Sequence, residues 1–114
     1  MTRSELEDRL VSFAVMIMKI ADSLPQTRSG STIANQIVRS GTSPALNYGE
    51  AQSAESNKDF IHKCQIVLKE LRETMISLKI IQKANLLKEV DLAIKENNEL
   101  ISIFVATVNK LKNK

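Results

Sequence analysis

The sequence predicts an all-α protein, an antiparallel up-down-up-down four-helix bundle in one domain that covers residues 1–114. One observation is composition: with only 3 Gly and 2 Pro and with abundant Leu, Ile, Lys and Glu, the chain favours helices. The other is periodicity, because four stretches carry apolar residues at three-four spacing and short polar segments join them. Short connections favour antiparallel neighbours. A chain of this length buries about two-thirds of its unfolded surface, enough for one core.

The first predicted helix runs from Ser4 to about Leu24. One side carries a core stripe made of Leu6, Leu10, Phe13, Ile17, Ile20 and Leu24. Other sides carry Val11, Val15, Met16 and Met18, so the stretch from Leu10 to Ala21 is apolar nearly all round. A lone bundle cannot cover that much of a helix, and we therefore expect self-association.

The second predicted helix follows the polar connection Pro25 to Ser31 and extends to about Gln52, with Ser31 or Thr32 as its cap. Pro44 lies inside it, has no N–H and crowds a carbonyl one turn earlier. This predicts one helix kinked near Gly41-Pro44, not two helices.

The third predicted helix runs from about Lys58 to Ala84, and Ser56 or Asn57 is expected to cap it. Its apolar seam consists of Phe60, Cys64, Val67, Leu71, Leu78 and Ile81. Thr74 is the polar residue on this seam, which otherwise predicts a fully buried helix face.

The fourth predicted helix begins near Leu87 or Lys88, after a turn at Asn85. Its seam is formed by Val90, Ile94, Asn97, Ile101, Phe104, Val108 and Leu111, and we expect the basic tail from Lys110 to Lys114 to be frayed. A polar seam residue such as Asn97 can fix register at a cost in stability. The sequence equally allows Asn97 to lie at an exposed edge of the bundle.

Several kinds of chemistry are disfavoured. A di-iron bundle needs two Glu-x-x-His motifs, and this chain has a single histidine, His62. The single cysteine, Cys64, falls on the apolar seam, where burial makes a thiol inert and where a reducing cytoplasm is the expected environment. No signal peptide and no bilayer-spanning run is evident. We therefore expect a cytoplasmic non-enzyme with no metal, cofactor, membrane or small-molecule substrate.

A polar stripe crosses the second predicted helix and consists of Arg39, Ser43, Asn47 and Glu50. One interpretation is a binding site. The other, which we favour, is a hydrogen-bonded network where the second helix meets the third, with Glu70 as the partner, because buried polar groups must be paired.

A basic stripe follows the outer side of the third predicted helix, where Gln65 shares the spacing and Ile76 interrupts it. Its basic members, here called the basic ridge, are Lys58, His62, Lys69, Arg72, Lys79 and Lys83. A cationic ridge of this kind suits phosphate groups, so these are the candidate nucleic-acid-binding residues. The competing interpretation is a solvated, lysine-rich face without a ligand.

The middle of the chain carries several short motifs in a fixed order. They are Arg39-Ser40, Asn47-x-x-Glu50, Ser56-x-x-Asp59-Phe60, Lys63 and Leu68-Lys69-Glu70. In these the chain resembles the bacterial four helix bundle protein family, which includes proteins encoded within intervening sequences of 23S rRNA genes and is related to the accessory variability determinant of diversity-generating retroelements. The resemblance covers roughly Phe13 to Leu87. It implies a homo-oligomer, a pentamer as in related proteins.

Two functions follow as expectations. The first is a nucleic-acid-associated accessory or scaffold protein, with RNA favoured over DNA and with RNA or a nucleic-acid-processing protein as partner. The resemblance supports it because relatives are tied to rRNA genes or reverse transcriptases. The alternative is a protein–protein assembly module with no nucleic-acid role, which the low aromatic content of 4% and the lack of Trp favour.

Overall fold

The computed structural model describes residues 1–113 and shows an elongated all-α bundle of 47 × 20 × 20 Å. Its helices are α1 (Arg3–Ser23), α2 (Arg28–Ala51), α3 (Asn57–Lys83) and α4 (Asp91–Lys112). Consecutive helices pack side by side, most extensively α2 against α3, whereas α1 and α4 approach each other over only a short stretch. The predicted up-down-up-down four-helix bundle is therefore confirmed.

The start of α1 is fixed by a reciprocal cap. The Thr2 hydroxyl accepts from the Glu5 amide at 3.0 Å, and the Glu5 carboxylate accepts from the Thr2 amide at 3.3 Å. This capping box satisfies two amides that a helix leaves without internal partners. The helix consequently begins at Arg3, one residue before the predicted start.

The start of α2 differs from the prediction. The cap is Thr27, not Ser31 or Thr32, and the Thr27 hydroxyl accepts from the Gly30 amide at 3.0 Å. The preceding chain folds back so closely that a Cβ on Gly30 would lie 2.0 Å from the Pro25 carbonyl oxygen. Only glycine allows that approach, and it lets the helix begin at Arg28. Further along, α2 passes through Pro44 without a break, so one helix is correct.

Helix α3 supplies the centre of the core, as predicted. All six apolar seam residues are buried, and Ser56 caps the helix by accepting from the Asp59 amide at 3.1 Å. The buried Thr74 hydroxyl donates to the Glu70 carbonyl oxygen at 2.9 Å and pairs with the Ser40 hydroxyl at 2.9 Å. The polar seam residue is therefore satisfied by its own helix and by α2.

The start of α4 also differs from the prediction, since this helix begins at Asp91 and not near Leu87 or Lys88. Asn85 takes a positive φ of 55°, and the half-buried Leu87 that follows packs against the core. Because this apolar segment packs against the core, α4 begins at a later residue than predicted. Along α4, Ala93 and Leu100 are buried, whereas the predicted seam residues Ile94 and Ile101 are half-buried. The predicted seam is thus wrong by one position there.

The end of α4 includes part of the tail that we expected to be frayed. The helix extends through Lys110 and Lys112, while their fraying stays a prediction. Lys114, the last residue of the expected frayed tail, lies outside the described residues.

Asn97 lies inside the core of α4 and not at an exposed edge. Its exposed fraction is 0%, and neither its Nδ2 nor its Oδ1 has a hydrogen-bond partner among residues 1–113. An unpaired buried amide costs about 1–3 kcal/mol. The edge interpretation is wrong, and the bundle carries a polar group that weakens it.

Replacing Asn97 with Leu should therefore stabilise the protein. Leu has the same branching at Cγ and removes the unpaired amide, so we expect a gain of about 1–2 kcal/mol, or about 4–8 °C in melting temperature. Thermal unfolding followed by circular dichroism measures this, with Asn98→Leu at the exposed neighbouring position as the control. A lower melting temperature for Asn97→Leu would mean that the amide has a partner in the native protein.

Candidate nucleic-acid interface

The basic ridge forms one exposed face of α3. Every one of its predicted residues is exposed: Lys58, His62, Lys69, Arg72, Lys79 and Lys83. An α-helix rises 1.5 Å per residue, so the ridge extends over about 37 Å from its first residue to its last. The spacing in the sequence therefore placed these side chains correctly, while their binding of nucleic acid stays a prediction.

Within residues 1–113 the ridge cations, like Lys19 and Lys95, lack the carboxylate partners that Arg9, Arg39 and Lys63 have. Arg9 is held by Glu96 through two hydrogen bonds of 2.7 Å, and Lys63 lies 3.5 Å from Glu50. Within residues 1–113, by contrast, no ridge cation lies within 4.0 Å of a carboxylate oxygen. The ridge cations are therefore not tied up in close ion pairs and are available to an anionic ligand, although Lys69 is near enough to Glu70 and Glu73 to act on their charge.

The surface of the ridge offers no aromatic side chain on which bases could stack. The protein has 3 Phe and 1 Tyr, and all are buried. The ridge is interrupted by Ile76, which is 57% exposed, and Ile80 beside it is 44% exposed. Any nucleic acid bound along this helix must therefore be held mainly through its phosphates.

The predicted polar network exists only in part. Arg39 bridges α2 and α3, with Nη1 3.4 Å from Glu70 Oε2 and Nη2 3.2 Å from Glu73 Oε2. Asn47 does not join it, because its Nδ2 donates to the hydroxyl of Ser43 at 2.8 Å within α2.

The remaining member of the polar stripe, Glu50, also lies outside the network and pairs separately with Lys63. We had not predicted Glu73, although its position three residues after Glu70 places it on the same side of α3. The stripe thus forms three local contacts, which tie α2 to itself and to α3.

The carboxyl group of Glu70 is the least exposed acid in this region. Burial raises the pKa of Glu70, the neighbouring Glu73 adds to the effect, and Arg39 opposes it. Arg39 is thus occupied in holding two carboxylates and is less available to an external phosphate. This geometry favours a structural role for the polar stripe.

Other candidate chemistry finds little support in residues 1–113. Cys64 is fully buried, and burial raises the pKa of its thiol to about 11, so almost none of it is nucleophilic thiolate at neutral pH. No group of three His, Cys, Asp or Glu side chains gathers in this part of the chain. In the same residues no helix is long and apolar enough to cross a bilayer.

The fold and this face define a class of protein: a four-helix bundle whose third helix presents a row of exposed basic residues. A family model described as 23S rRNA-intervening sequence protein matches residues 4–106, and the chain belongs to that family. No functionally curated protein matches it.

A solved structure with the same fold is also similar to this chain. It is a crystal structure at 1.70 Å of a protein with unknown function from the S23 ribosomal protein family of Bacteroides thetaiotaomicron VPI-5482. The TM-score is 0.87 with 28% sequence identity, and the match covers 96% of this chain and 99% of that one.

Proposed function

We propose that the protein is a non-enzymatic, homo-oligomeric accessory or scaffold protein of the bacterial cytoplasm that associates with nucleic acid, RNA in preference to DNA. The observation that carries the proposal is the basic ridge of α3, whose exposed cations have no carboxylate partners within residues 1–113. The family description, which names an intervening sequence of 23S rRNA, supports RNA as the ligand.

Self-association would strengthen such a ridge. One chain has a net charge of only +3, which gives a modest field by itself. In a closed ring of identical subunits, each copy presents the same ridge, and the pentamer implied by the family resemblance would repeat it five times. Contacts to phosphate along several ridges would then add, because binding at one raises the effective concentration at the next.

The second candidate function is a protein–protein assembly module without a nucleic-acid role. It is favoured by the burial of all four aromatic side chains, which leaves nothing for bases to stack on. It is also favoured by the exposed apolar side chains of α1, which suit a protein surface better than a polyanion.

The test removes charge from the centre of the ridge. Lys69, Arg72 and Lys79 are replaced together by Gln, which keeps helix propensity and is accommodated at exposed positions. Binding of a structured RNA, measured at low salt, should weaken at least tenfold, equivalent to about 1.4 kcal/mol. Affinity of the unmodified protein should be largely independent of base sequence and should fall steeply with salt, because each neutralised phosphate releases counterions.

A matched control removes the same charge elsewhere. The control replaces three exposed lysines that lie off the ridge, Lys19, Lys88 and Lys95, by Gln. Its RNA affinity should fall by no more than about twofold, the effect of the lower net charge. Equal losses in the two triple variants would indicate a net-charge effect without a ridge. If the unmodified protein binds neither RNA nor DNA at low salt, the assembly module is the better description.

A further inference from the structure

An open groove with a volume of about 530 Å³ lies between the beginning of α3 and the end of α4. Its walls include Lys58 and His62 from α3 and Lys112 from α4, with the half-buried Ile61 and Leu111 as its apolar floor. Two helices that are distant in sequence form it, so it was not evident from the basic ridge. Lys112 was also outside our predicted binding residues.

The charge of this groove sets it apart from the larger one on the same molecule. A groove of about 760 Å³ between α1 and the start of α4 is lined by two lysines and by the acids Glu89 and Asp91, so its charges offset each other. Among residues 1–113, the α3–α4 groove is lined by basic side chains and by no Asp or Glu. The positive end of the α3 helix dipole adds to this field. An anionic ligand with an apolar part fits the α3–α4 groove best.

We propose that the α3–α4 groove holds one unpaired nucleotide of a single-stranded RNA whose backbone continues along the basic ridge. The proposal rests on the proposed function, because the ridge supplies the rest of the contact. The base packs on Ile61 and Leu111, and the flanking phosphates lie against Lys58 and Lys112. The volume is within the range of about 300–1,000 Å³ typical of small-molecule sites.

The geometry of the groove determines whether it accepts single-stranded or double-stranded RNA. The aliphatic residues of the groove are half-buried and lie between two helices, so a base packs on them only when it is free to leave its stack. In duplex RNA the bases are paired inside the helix, and proteins contact the backbone and the 2′-hydroxyls instead. A duplex can therefore contact the exposed ridge but not the floor. The groove selects single strands or loops.

The experiment titrates the full-length protein with two probes, an unstructured oligouridylate and a blunt RNA duplex of equal length, at low salt. Methyl NMR signals of Ile61 and Leu111 report on the floor, and backbone amide signals around Lys79 report on the ridge. We expect the oligouridylate to shift both sets and the duplex to shift the ridge signals alone.

A matched pair of single variants tests the same point by affinity. Lys112→Gln removes the groove lysine that lies outside the basic ridge, so it should weaken oligouridylate binding about threefold or more while changing duplex binding less than about twofold. The control, Lys83→Gln, removes one ridge charge and should weaken both probes to a similar extent. Both positions are exposed, and unchanged melting temperatures confirm that the variants fold.

The outcomes separate the two proposals. Ridge signals that shift while Ile61 and Leu111 stay unmoved overturn the groove and leave the proposed function intact. Floor signals that shift equally with the duplex overturn the choice of single strands. Absence of any shift with either probe, together with no measurable binding, overturns the proposed function and the groove with it.

Discussion

Replacing Leu71 with Asp is expected to unfold the protein at 25 °C or to lower its melting temperature by about 15 °C or more. Leu71 lies in the middle of α3 and has an exposed fraction of 0%. Truncating such a side chain costs about 2–5 kcal/mol. A carboxylate at the same place also has to be buried without a partner, which adds several kcal/mol. The sum approaches the whole stability of a typical domain, about 5–15 kcal/mol.

Circular dichroism melting at matched protein concentration measures this effect, and Gln65→Asp is the control. Gln65 is an exposed residue of the same helix, so the same new charge there should cost only a few tenths of a kcal/mol in helix propensity. A Leu71→Asp protein that melts within a few degrees of the unmodified one would remove Leu71 from the core. It would also contradict the packing of α3 against α2 and α4.

The interior of the bundle was predictable because helical periodicity is a local property of the sequence. The seam of α3 was correct at every position, since a long regular run of three-four spacing leaves few alternatives. The seam of α4 was less certain, because Ile94 and Ile101 are as apolar as the Leu100 that is buried in their place. Which of several apolar residues faces inward depends on how the neighbouring helices are rotated, and that is a tertiary property.

The helix starts were the least predictable part of the fold. The segment from Thr27 to Thr32 contains four Ser and Thr residues, and each could have served as the cap of α2. The structure selects Thr27 because Gly30 allows the chain from Pro25 to approach its backbone. For α4, the delay to Asp91 follows from the burial of Leu87, whose helix propensity gave no such signal.

The candidate interface shows the same division between local and tertiary information. Exposure of the basic ridge followed from its position opposite the α3 seam. Ion pairing did not, because the spacing alone treats Lys63 and Lys69 alike, whereas Lys63 reaches Glu50 of α2 and Lys69 has no such partner within residues 1–113. Lys112 entered the α3–α4 groove only through the packing of α4 on α3.

The apolar circumference of α1 remains partly uncovered in the single chain. Val11, Val15 and Met18 are 47%, 45% and 47% exposed and lie on one side of the helix. These three residues form one apolar stripe along α1, and Leu46 of α2 is exposed as well, at 66%. A row of exposed apolar side chains on one side of a helix marks an interaction surface, unlike apolar residues scattered singly.

We expect this surface to hold identical copies of the chain together, so the unmodified protein should sediment as an oligomer at micromolar concentration. Replacing Val11 and Val15 together by Glu should weaken association about a hundredfold or more, about 2.8 kcal/mol, because the new carboxylates would have to be desolvated in the interface. The monomer should keep its helical content, since both side chains are half in solvent already.

Analytical ultracentrifugation over a range of concentrations measures the change, with Ser102→Glu as the control. Ser102 is exposed on α4 and not on α1, so the same charge there should leave association unchanged. If Ser102→Glu dissociates the oligomer as well, the interface is not specific to the stripe. An unmodified protein that is monomeric at these concentrations would overturn the assembly and would leave Val11, Val15 and Met18 as a solvent-exposed apolar face. The basic ridge of one chain would then bind phosphate without the added contacts that identical copies would provide.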